Sequence, residues 1–311
     1  MNNTERFNSV LYGIAPEIRE ILSKLSPSVK SCVEEIRLRN ALPLALTVSG
    51  ETVFVTKSGN TQFHLTTDLP RVTSENLTDS FRLLCGNSVY AHGEELKHGF
   101  IRMRNGSRAG ISGTLGSKGI MNDITSINIR ISREIHGVAN DIIKAYNGGG
   151  LLIAGAPGSG KTTVLRDLVR QLANGATGKI TRIAVIDSRG ELGGTFGNTR
   201  TNDLGISTDV LITPDKASGI EIAIRTLFPE IVAFDEIGTS DELKKVTESF
   251  YAGVKVITTA HIGAREELMK RNVTRQLIQS GAISQIALLP KIHGGDIRLI
   301  DVKEFLCVCA V

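Results

Sequence analysis

The chain has 311 residues, of which 41% are hydrophobic and 22% are charged, which is typical of a soluble globular protein with one large domain or two. Its net charge of +4, without a dense Lys/Arg run, permits binding to nucleic acid or an anionic membrane but does not predict it. No apolar stretch reaches the roughly 18 residues of a membrane span, and the N-terminus lacks a signal-peptide pattern, so we expect a cytoplasmic protein.

The four cysteines, Cys32, Cys85, Cys307 and Cys309, lack the C-x-x-C spacing of metal sites. We therefore expect buried, reduced thiols rather than a metal centre or a disulfide framework. The absence of tryptophan and the 5% aromatic content argue against stacking platforms for single-stranded nucleic acid.

The first part of the chain mixes helical and alternating patterns. Asn105-Gly106 between two alternating runs is a strong hairpin signal. Helices are predicted over 14–25 and 74–84, and strands over 35–39, 44–48, 52–55, 100–104, 107–112 and 127–131. These patterns predict an N-terminal α+β domain over residues 1–135.

An unusual number of arginines lies on the predicted strands. Arg102, Arg104 and Arg108 belong to the hairpin, and Arg130 alternates with isoleucines expected to be buried. Each one alone is typical of a solvated sheet face. As a set, they are also a possible source of positive charge for the site predicted below.

Three consecutive glycines, Gly148 to Gly150, follow a helical pattern over 138–146. Such a run predicts a pliable connection, and we place the domain boundary between about Ile135 and Asn147. The second domain then spans residues 136–311. Its strands alternate with helices, which predicts a parallel sheet covered on both faces.

A glycine-rich segment between a buried strand and a helix has the spacing G-x-x-x-x-G-K-[ST]. Backbone N–H groups of such a turn surround phosphate oxygens, and the helix N-terminus adds positive charge. We expect Lys161 to reach the β- and γ-phosphates and the Thr162 hydroxyl to bind Mg²⁺. The predicted ATP-binding residues are Gly155, Ala156, Pro157, Gly158, Ser159, Gly160, Lys161, Thr162 and Thr163.

Acidic residues end two later strands. Residues 231–234 are apolar and precede Asp235, a predicted Mg²⁺ ligand, and Glu236, predicted to polarise the attacking water. The loop after strand 182–187 offers Glu191 as a second candidate for that water, although this carboxylate can equally be solvated or cap the loop.

A strand over 254–260 should lie beside the Asp235 strand and end near the γ-phosphate. Thr259 or His261 at that end could sense this group, whereas a structural role for the histidine is equally open.

The order of these motifs resembles the type II/IV secretion ATPase superfamily, whose segments are called Walker A, Asp box, Walker B and His box. The approach to Walker B through Arg225, and the Asn128–Ser132 segment with Arg130, resemble arginine motifs of that superfamily. The resemblance implies a RecA-like P-loop ATPase domain with a mostly parallel sheet, preceded by a smaller α+β N-terminal domain.

A closer resemblance, over most of the chain, is to the sporulation ATPase family called stage III sporulation protein AA. The matching segments are 34–39, 88–91, 126–131, 165–168, 208–211 and 232–238. The resemblance implies ATP and Mg²⁺ as cofactors, a hexameric ring and a small membrane partner, stage III sporulation protein AB. It also implies a role on the mother-cell side, powering a secretion-like channel into the forespore.

One segment departs from this family. Ser188 follows Asp187 where an acidic residue is expected, and Arg189-Gly190-Glu191 replaces a common Arg-Ser-Glu. The loss of one carboxylate makes Glu236 the safer choice for the catalytic residue.

The predicted reaction is in-line attack of water on the γ-phosphoryl of ATP, assisted by an arginine finger. Arg130 or Arg108 would supply the finger from the N-terminal domain, with Arg225 as the next candidate. A small-molecule kinase would need an arginine-rich lid, and the second half shows no such insert. A nucleic-acid-dependent ATPase would instead use the hairpin arginines as a phosphate track.

Overall fold

The structure, a computed structural model, describes residues 2–116, 121–188, 190–196, 199–290 and 295–309. The chain divides into two compact units. Unit 1 comprises Met1–Glu134 and Gly194–Thr201, and unit 2 comprises Ile135–Gly193 and Asn202–Val311. Unit 1 is therefore discontinuous in sequence.

Unit 1 is an α+β unit. Its helices are α1 (Asn3–Val10), α2 (Pro16–Ser23), α3 (Pro27–Cys32), α4 (Ser74–Leu84) and α5 (Gly93–Lys97). Its main strands are β1 (Val33–Arg39), β2 (Ala45–Val48), β3 (Glu51–Val55), β4 (Thr61–Gln62), β5 (Phe100–Arg102), β6 (Arg108–Leu115) and β7 (Met121–Arg130). They form an antiparallel sheet in the order β4-β3-β2-β1-β7-β6-β5.

The alternation of β1 shows why this sheet has one apolar face. Ile36 and Leu38 are fully buried in the core of unit 1, whereas Arg37 and Arg39 lie on the opposite face and are partly exposed. The predicted hairpin is present between β5 and β6, and Arg102 pairs with Arg108 in its register. Its connection is longer than the predicted Asn-Gly turn, because the strands end at Arg102 and begin again at Arg108.

A fully buried arginine holds several segments of unit 1 together. Arg6 on α1 is 0% exposed and donates to the Ser132 hydroxyl, to the Glu134 carboxylate at 2.9 Å, and to the Thr201 carbonyl at 2.8 Å. Thr201 belongs to the short segment Gly194–Thr201, in which β10 (Thr195–Phe196) pairs antiparallel with β11 (Thr199–Arg200). The ion pair and hydrogen bonds offset part of the cost of burying the guanidinium, whose Nε has no hydrogen-bond partner among the described residues.

Unit 2 is built on a second sheet. Its strands are β8 (Leu151–Gly155), β9 (Ile183–Ile186), β12 (Thr208–Leu211), β13 (Ile231–Phe234), β14 (Lys255–His261), β15 (Gln285–Leu288) and β16 (Arg298–Asp301). Its helices are α6 (Asn140–Ala145), α7 (Lys161–Ala173), α8 (Lys216–Leu227), α9 (Ser240–Tyr251), α10 (Asn272–Gln279) and α11 (Val302–Cys309).

This sheet has the order β12-β9-β13-β14-β8-β15-β16 and is parallel except for β16. Strands such as β13 are buried at every position, because alternate residues enter two different cores. Helices α6 and α7 contribute to one core, and α8 to α11 contribute to the other. The sheet is thus covered on both faces, as predicted, and its carboxyl edge holds the site described below.

A buried carboxylate joins α6 to α7. Asp167 is 2% exposed and accepts hydrogen bonds from the Ala139 N–H at 2.9 Å, from the Arg170 guanidinium at 2.7 Å and from Gln171. Burial alone would raise the pKa of Asp167, but these hydrogen bonds outweigh it and hold the pKa below its ordinary value.

Gly148–Gly150, predicted to be a pliable connection between the domains, do not link the two units. These glycines lie inside unit 2, and the Gly150 carbonyl accepts the N–H groups of Ser284 and Gln285. A Cβ on Gly150 would lie 1.9 Å from the Ala282 carbonyl oxygen. Glycine is required here by close backbone approach rather than by motion.

The expectation of buried cysteines holds for Cys85 but is wrong for Cys32 and Cys307, which are exposed. The side chain of Cys309 lies outside the described residues. Burial, together with the nearby Glu95 carboxylate, raises the pKa of Cys85 to about 11.

Among the described residues, no helix has both the length and the apolar composition that a membrane span requires.

Candidate functional site

The glycine-rich turn lies between β8 and α7. Gly158 and Gly160 have φ angles of 75° and 87°, a left-handed region that glycine enters without strain. Gly155 faces Ser159 so closely that a Cβ would lie 2.3 Å from the Ser159 hydroxyl oxygen. The turn thus brings the chain directly from a buried strand into a helix N-terminus, which is an anion-binding geometry.

Lys161 opens α7 and is only 5% exposed. Its Nζ donates to the carbonyl oxygens of Gly155 at 3.0 Å and Ala156 at 2.8 Å. Desolvation lowers the pKa of Lys161, although Asp235 and Glu236 act in the opposite direction. The ammonium group therefore lies against the turn and donates to neutral carbonyl oxygens. A charged phosphate oxygen would be a stronger acceptor than these carbonyls.

The other predicted ATP-binding residues lie in the turn or in the first helical turn. Ala156, Pro157 and Ser159 are in the turn, and Thr163 is in α7. The Ser159 hydroxyl oxygen is buried and has no hydrogen-bond partner among the described residues. A buried polar atom left without a partner is uncommon in a folded protein and is compatible with a ligand at this turn.

Thr162 and Asp235 meet across the carboxyl edge of the sheet. The Thr162 hydroxyl donates to the Asp235 carboxylate at 2.8 Å. The second carboxylate oxygen of Asp235 accepts from the Thr259 hydroxyl at 2.6 Å. Because β13 and β14 are parallel neighbours and β14 also pairs with β8, their ends converge on the turn. Hydroxyl and carboxylate oxygens are hard ligands that suit Mg²⁺.

Glu236 follows Asp235 in a conformation that is rare for a residue with a side chain, with φ of 51°. Its N–H donates to the Thr259 hydroxyl oxygen at 2.9 Å. Its side chain is 41% exposed, and its carboxylate lies 3.6 Å from His261 Nε2. Non-glycine residues held in the left-handed region cluster at active sites.

Asp187 organises the loop that carries Glu191. The Asp187 carboxylate, 2% exposed, accepts the N–H groups of Glu191 at 3.0 Å and Gly193 at 2.8 Å. The Glu191 side chain is exposed. Arg189 in this loop lies outside the described residues. Asp187 thus fixes the position of the Glu191 backbone at the start of the loop.

The predicted finger arginines lie in unit 1. Arg108 on β6 and Arg130 on β7 are register partners, and Arg102 on β5 is the partner of Arg108. Directly opposed residues share a sheet face, so the three form one transverse row. The Arg108 guanidinium stacks over the Phe100 ring at 4.7 Å. In unit 2, Arg225 on α8 is exposed and pairs with Glu221 at 2.6 Å.

The sequence did not indicate a role for Lys216, which begins α8 and reaches the turn formed by Asp235 and Glu236. Its Nζ donates to the carbonyl oxygens of Asp235 and Glu236 and pairs with Glu242. The pattern Thr239-x-x-Glu242 is a capping-box signal that would have marked Glu242 at a helix start. The approach of Lys216, about 20 residues away in sequence, leaves no local signal.

Comparisons with known proteins agree with this architecture. The family described as sporulation stage III, protein AA matches residues 2–303. Stage III sporulation protein AA of Bacillus subtilis (strain 168) is 31% identical over 296 residues, which cover 92% of each chain.

Two solved structures resemble this one in fold. The pilus retraction motor PilT with bound ADP has a TM-score of 0.60 at 16% identity, covering 94% of this chain and 88% of that one. The Legionella pneumophila ATPase DotB has a TM-score of 0.56 at 18% identity, covering 87% and 74%. At such identities the likeness shows the fold alone, and it confirms the predicted fold class.

Proposed function

The chain belongs to the sporulation stage III protein AA family, as its motifs indicated, and from that premise we propose that it hydrolyses ATP in a Mg²⁺-dependent reaction. The observation that carries the proposal is the hydrogen bond between Thr162 and Asp235. It joins the two motifs that hold the metal in P-loop NTPases, at the N-terminus of the helix that begins with Lys161. The fold shared with an ADP-bound motor supports the same reading.

Each residue then has a stated role. The N–H groups of the turn and Lys161 would bind the β- and γ-phosphates, with the ammonium leaving its present carbonyl partners. Thr162 and Asp235 would hold Mg²⁺, which when bound neutralises developing charge on the phosphates. Their oxygen chemistry and their 2.8 Å approach fit such an ion.

Glu236 is the proposed group that orients and polarises the attacking water. Its backbone is anchored, while its side chain is 41% exposed and so accessible to a water molecule. Glu191 is the alternative, because its loop also follows a strand at the carboxyl edge. Replacing the true water-orienting group by glutamine would lower turnover by about 10²–10⁴-fold. The comparison of Glu236→Gln with Glu191→Gln decides between them.

We further propose that an arginine of unit 1, Arg130 or Arg108, supplies the finger that stabilises the transition state, with Arg225 as the next candidate. Arg130→Ala should keep ATP affinity but lose at least about 10³-fold in turnover, since a finger acts on the transition state. Arg82→Ala, an exposed arginine on α4, is the control. Equal loss of affinity and turnover would argue against a finger.

The proposed cellular role follows from the family. ATP hydrolysis would power assembly of, or transport through, a secretion-like channel between mother cell and forespore. The active form would be a ring of this chain, a hexamer, recruited to the membrane by the small partner protein AB. Sizing with Glu236→Gln and ATP tests this, because trapped nucleotide should stabilise the ring. A chain that stays monomeric with trapped nucleotide would contradict a ring motor.

The primary test is nucleotide binding. A fluorescent ATP analogue with Mg²⁺ should bind the wild-type chain and should lose about 100-fold or more in affinity with Lys161→Ala, because that charge contacts the phosphates. No measurable affinity in the wild-type chain would overturn the proposal.

A second candidate function has one observation in its favour. The row Arg102, Arg108 and Arg130, with Phe100 beside it, offers cations and a ring on one sheet face. In a nucleic-acid-dependent ATPase this face would follow a phosphate backbone. Affinity for polynucleotide that falls steeply with salt, together with stimulated ATP turnover, would favour it.

A further inference from the structure

Lys216 is placed against the backbone that carries Glu236. Its side chain is 16% exposed, and its Nζ donates to the carbonyl oxygen of Asp235 at 3.3 Å and to that of Glu236. Lys216 also forms an ion pair with Glu242 at 3.0 Å, and its Nζ lies 6.0 Å from the centre of the Phe234 ring. A lysine ammonium has three N–H donors, and here each has an acceptor. Lys216 is therefore committed to this turn and has no donor left for a substrate.

The turn that Lys216 contacts carries a strained backbone conformation at Glu236. Glu236 has φ of 51°, a region in which a non-glycine residue is strained and persists only where its surroundings over-determine it. The structure supplies an anchor on each side of the residue. Its N–H donates to Thr259, and its carbonyl accepts from Lys216. Loss of either anchor would free the backbone to relax, and the carboxylate would move with it.

Glu242 fixes the lysine in turn. Its Oε1 pairs with Lys216, whereas its Oε2 accepts the N–H groups of Gly238 at 2.8 Å and Thr239 at 3.2 Å. The carboxylate thus caps α9 and holds the ammonium at the same time. Lys216 itself is the first residue of α8. The Glu236 turn is consequently clamped between the starts of two helices.

We propose that Lys216 is a positioning residue for Glu236: by holding the Glu236 carbonyl, it fixes the direction of the carboxylate toward the attacking water. This inference rests on the proposed ATPase function and on Glu236 as the water-orienting group. It predicts that Lys216 affects turnover through Glu236 and leaves ATP binding almost unchanged.

The first test compares turnover with affinity. Lys216→Met should lower kcat about 10- to 100-fold while the Kd for a fluorescent ATP analogue changes less than about 3-fold, because a positioned group acts on the transition state. Lys216→Arg, which keeps donors near the carbonyls, should recover part of the turnover. Lys244→Ala, an exposed lysine on α9, should match the wild-type chain. A fall in ATP affinity equal to the fall in turnover would overturn the inference.

The second test is a double-mutant cycle followed by single-turnover hydrolysis. If Lys216 acts through Glu236, adding Lys216→Met to Glu236→Gln should cause no further loss, since residues acting as a unit are not additive. Multiplied losses would overturn the inference and would favour Glu191 as the water-orienting group.

Lys216→Met leaves the buried Glu242 carboxylate without its cation, which could destabilise the fold. The double variant Lys216→Met with Glu242→Gln removes that unpaired charge and serves as the folding-matched variant. It should show the same loss of turnover with an intact far-UV circular dichroism spectrum. Turnover by this folded variant at the wild-type rate would overturn the inference. A wild-type chain that neither binds nor hydrolyses ATP would instead refute the proposed function itself.

Discussion

Thr258 and Thr259 allow a matched test of the hydrogen bonds that support the site. Both are fully buried on β14, but alternation sends them to opposite faces of the sheet. The Thr259 hydroxyl donates to Asp235 at 2.6 Å and accepts from the Glu236 N–H at 2.9 Å. The Thr258 hydroxyl has no hydrogen-bond partner among the described residues. Valine replaces either hydroxyl with a methyl group of similar size.

The two substitutions should differ clearly in free energy of unfolding. Thr259→Val removes one hydrogen bond to a carboxylate and leaves one N–H without its acceptor, a loss of about 2–6 kcal/mol when each bond contributes about 1–3 kcal/mol. Thr258→Val removes a buried hydroxyl that has no partner, so it should be neutral or stabilise by up to about 1 kcal/mol.

Urea unfolding followed by far-UV circular dichroism measures the difference, provided that the slope with urea stays constant. Phosphate release should fall with Thr259→Val, because Asp235 and Glu236 lose a shared partner, and should persist with Thr258→Val. Equal unfolding free energies for the two variants would refute the hydrogen-bond account of this site.

Three further predictions concern unit 2 and the cysteines. Gly150→Ala should destabilise by at least about 1–3 kcal/mol, because its Cβ would meet a backbone oxygen at 1.9 Å, whereas Gly238→Ala, with open space around it, should change thermal unfolding little. Asp167→Asn should destabilise by about 2–4 kcal/mol at pH 7. Because the folded-state pKa of Asp167 is lowered, this difference is present above the unfolded pKa of about 3.9 and should shrink in urea titrations as pH falls below it; a constant difference would contradict the cause given. A thiol reagent at pH 7.5 should label the exposed Cys32 much faster than the buried Cys85, whose pKa is raised to about 11; equal rates, followed by mass spectrometry, would contradict the burial.

Most of the fold could be predicted from local sequence patterns. The buried strand before Gly155 and the helix after Lys161 follow from apolar spacing and from a turn that only glycine permits. Asp235 and Glu236 were recognisable because they end an apolar strand. Each of these signals lies within a few residues of what it predicts.

The features that escaped prediction depend on distant parts of the chain. Three glycines indicate either motion or close packing, and only the neighbouring Ala282 carbonyl identifies packing at Gly150. The left-handed backbone of Glu236 is held by Thr259 and Lys216, and neither is near it in sequence. Tertiary contacts of this kind override local preference and have no periodic signature.

The Arg6 contacts have a practical consequence for dissecting the chain. An N-terminal fragment cut at residue 134 would lack Gly194–Thr201, and with it the carbonyl of Thr201 that accepts from the buried guanidinium. An N–H group stranded in this way weakens a fold by about 1–3 kcal/mol. Unit 1 is complete only when the chain has reached residue 201, so expressing the two units separately would divide unit 1. Intact chains with point substitutions are therefore better suited to assigning a function to either unit.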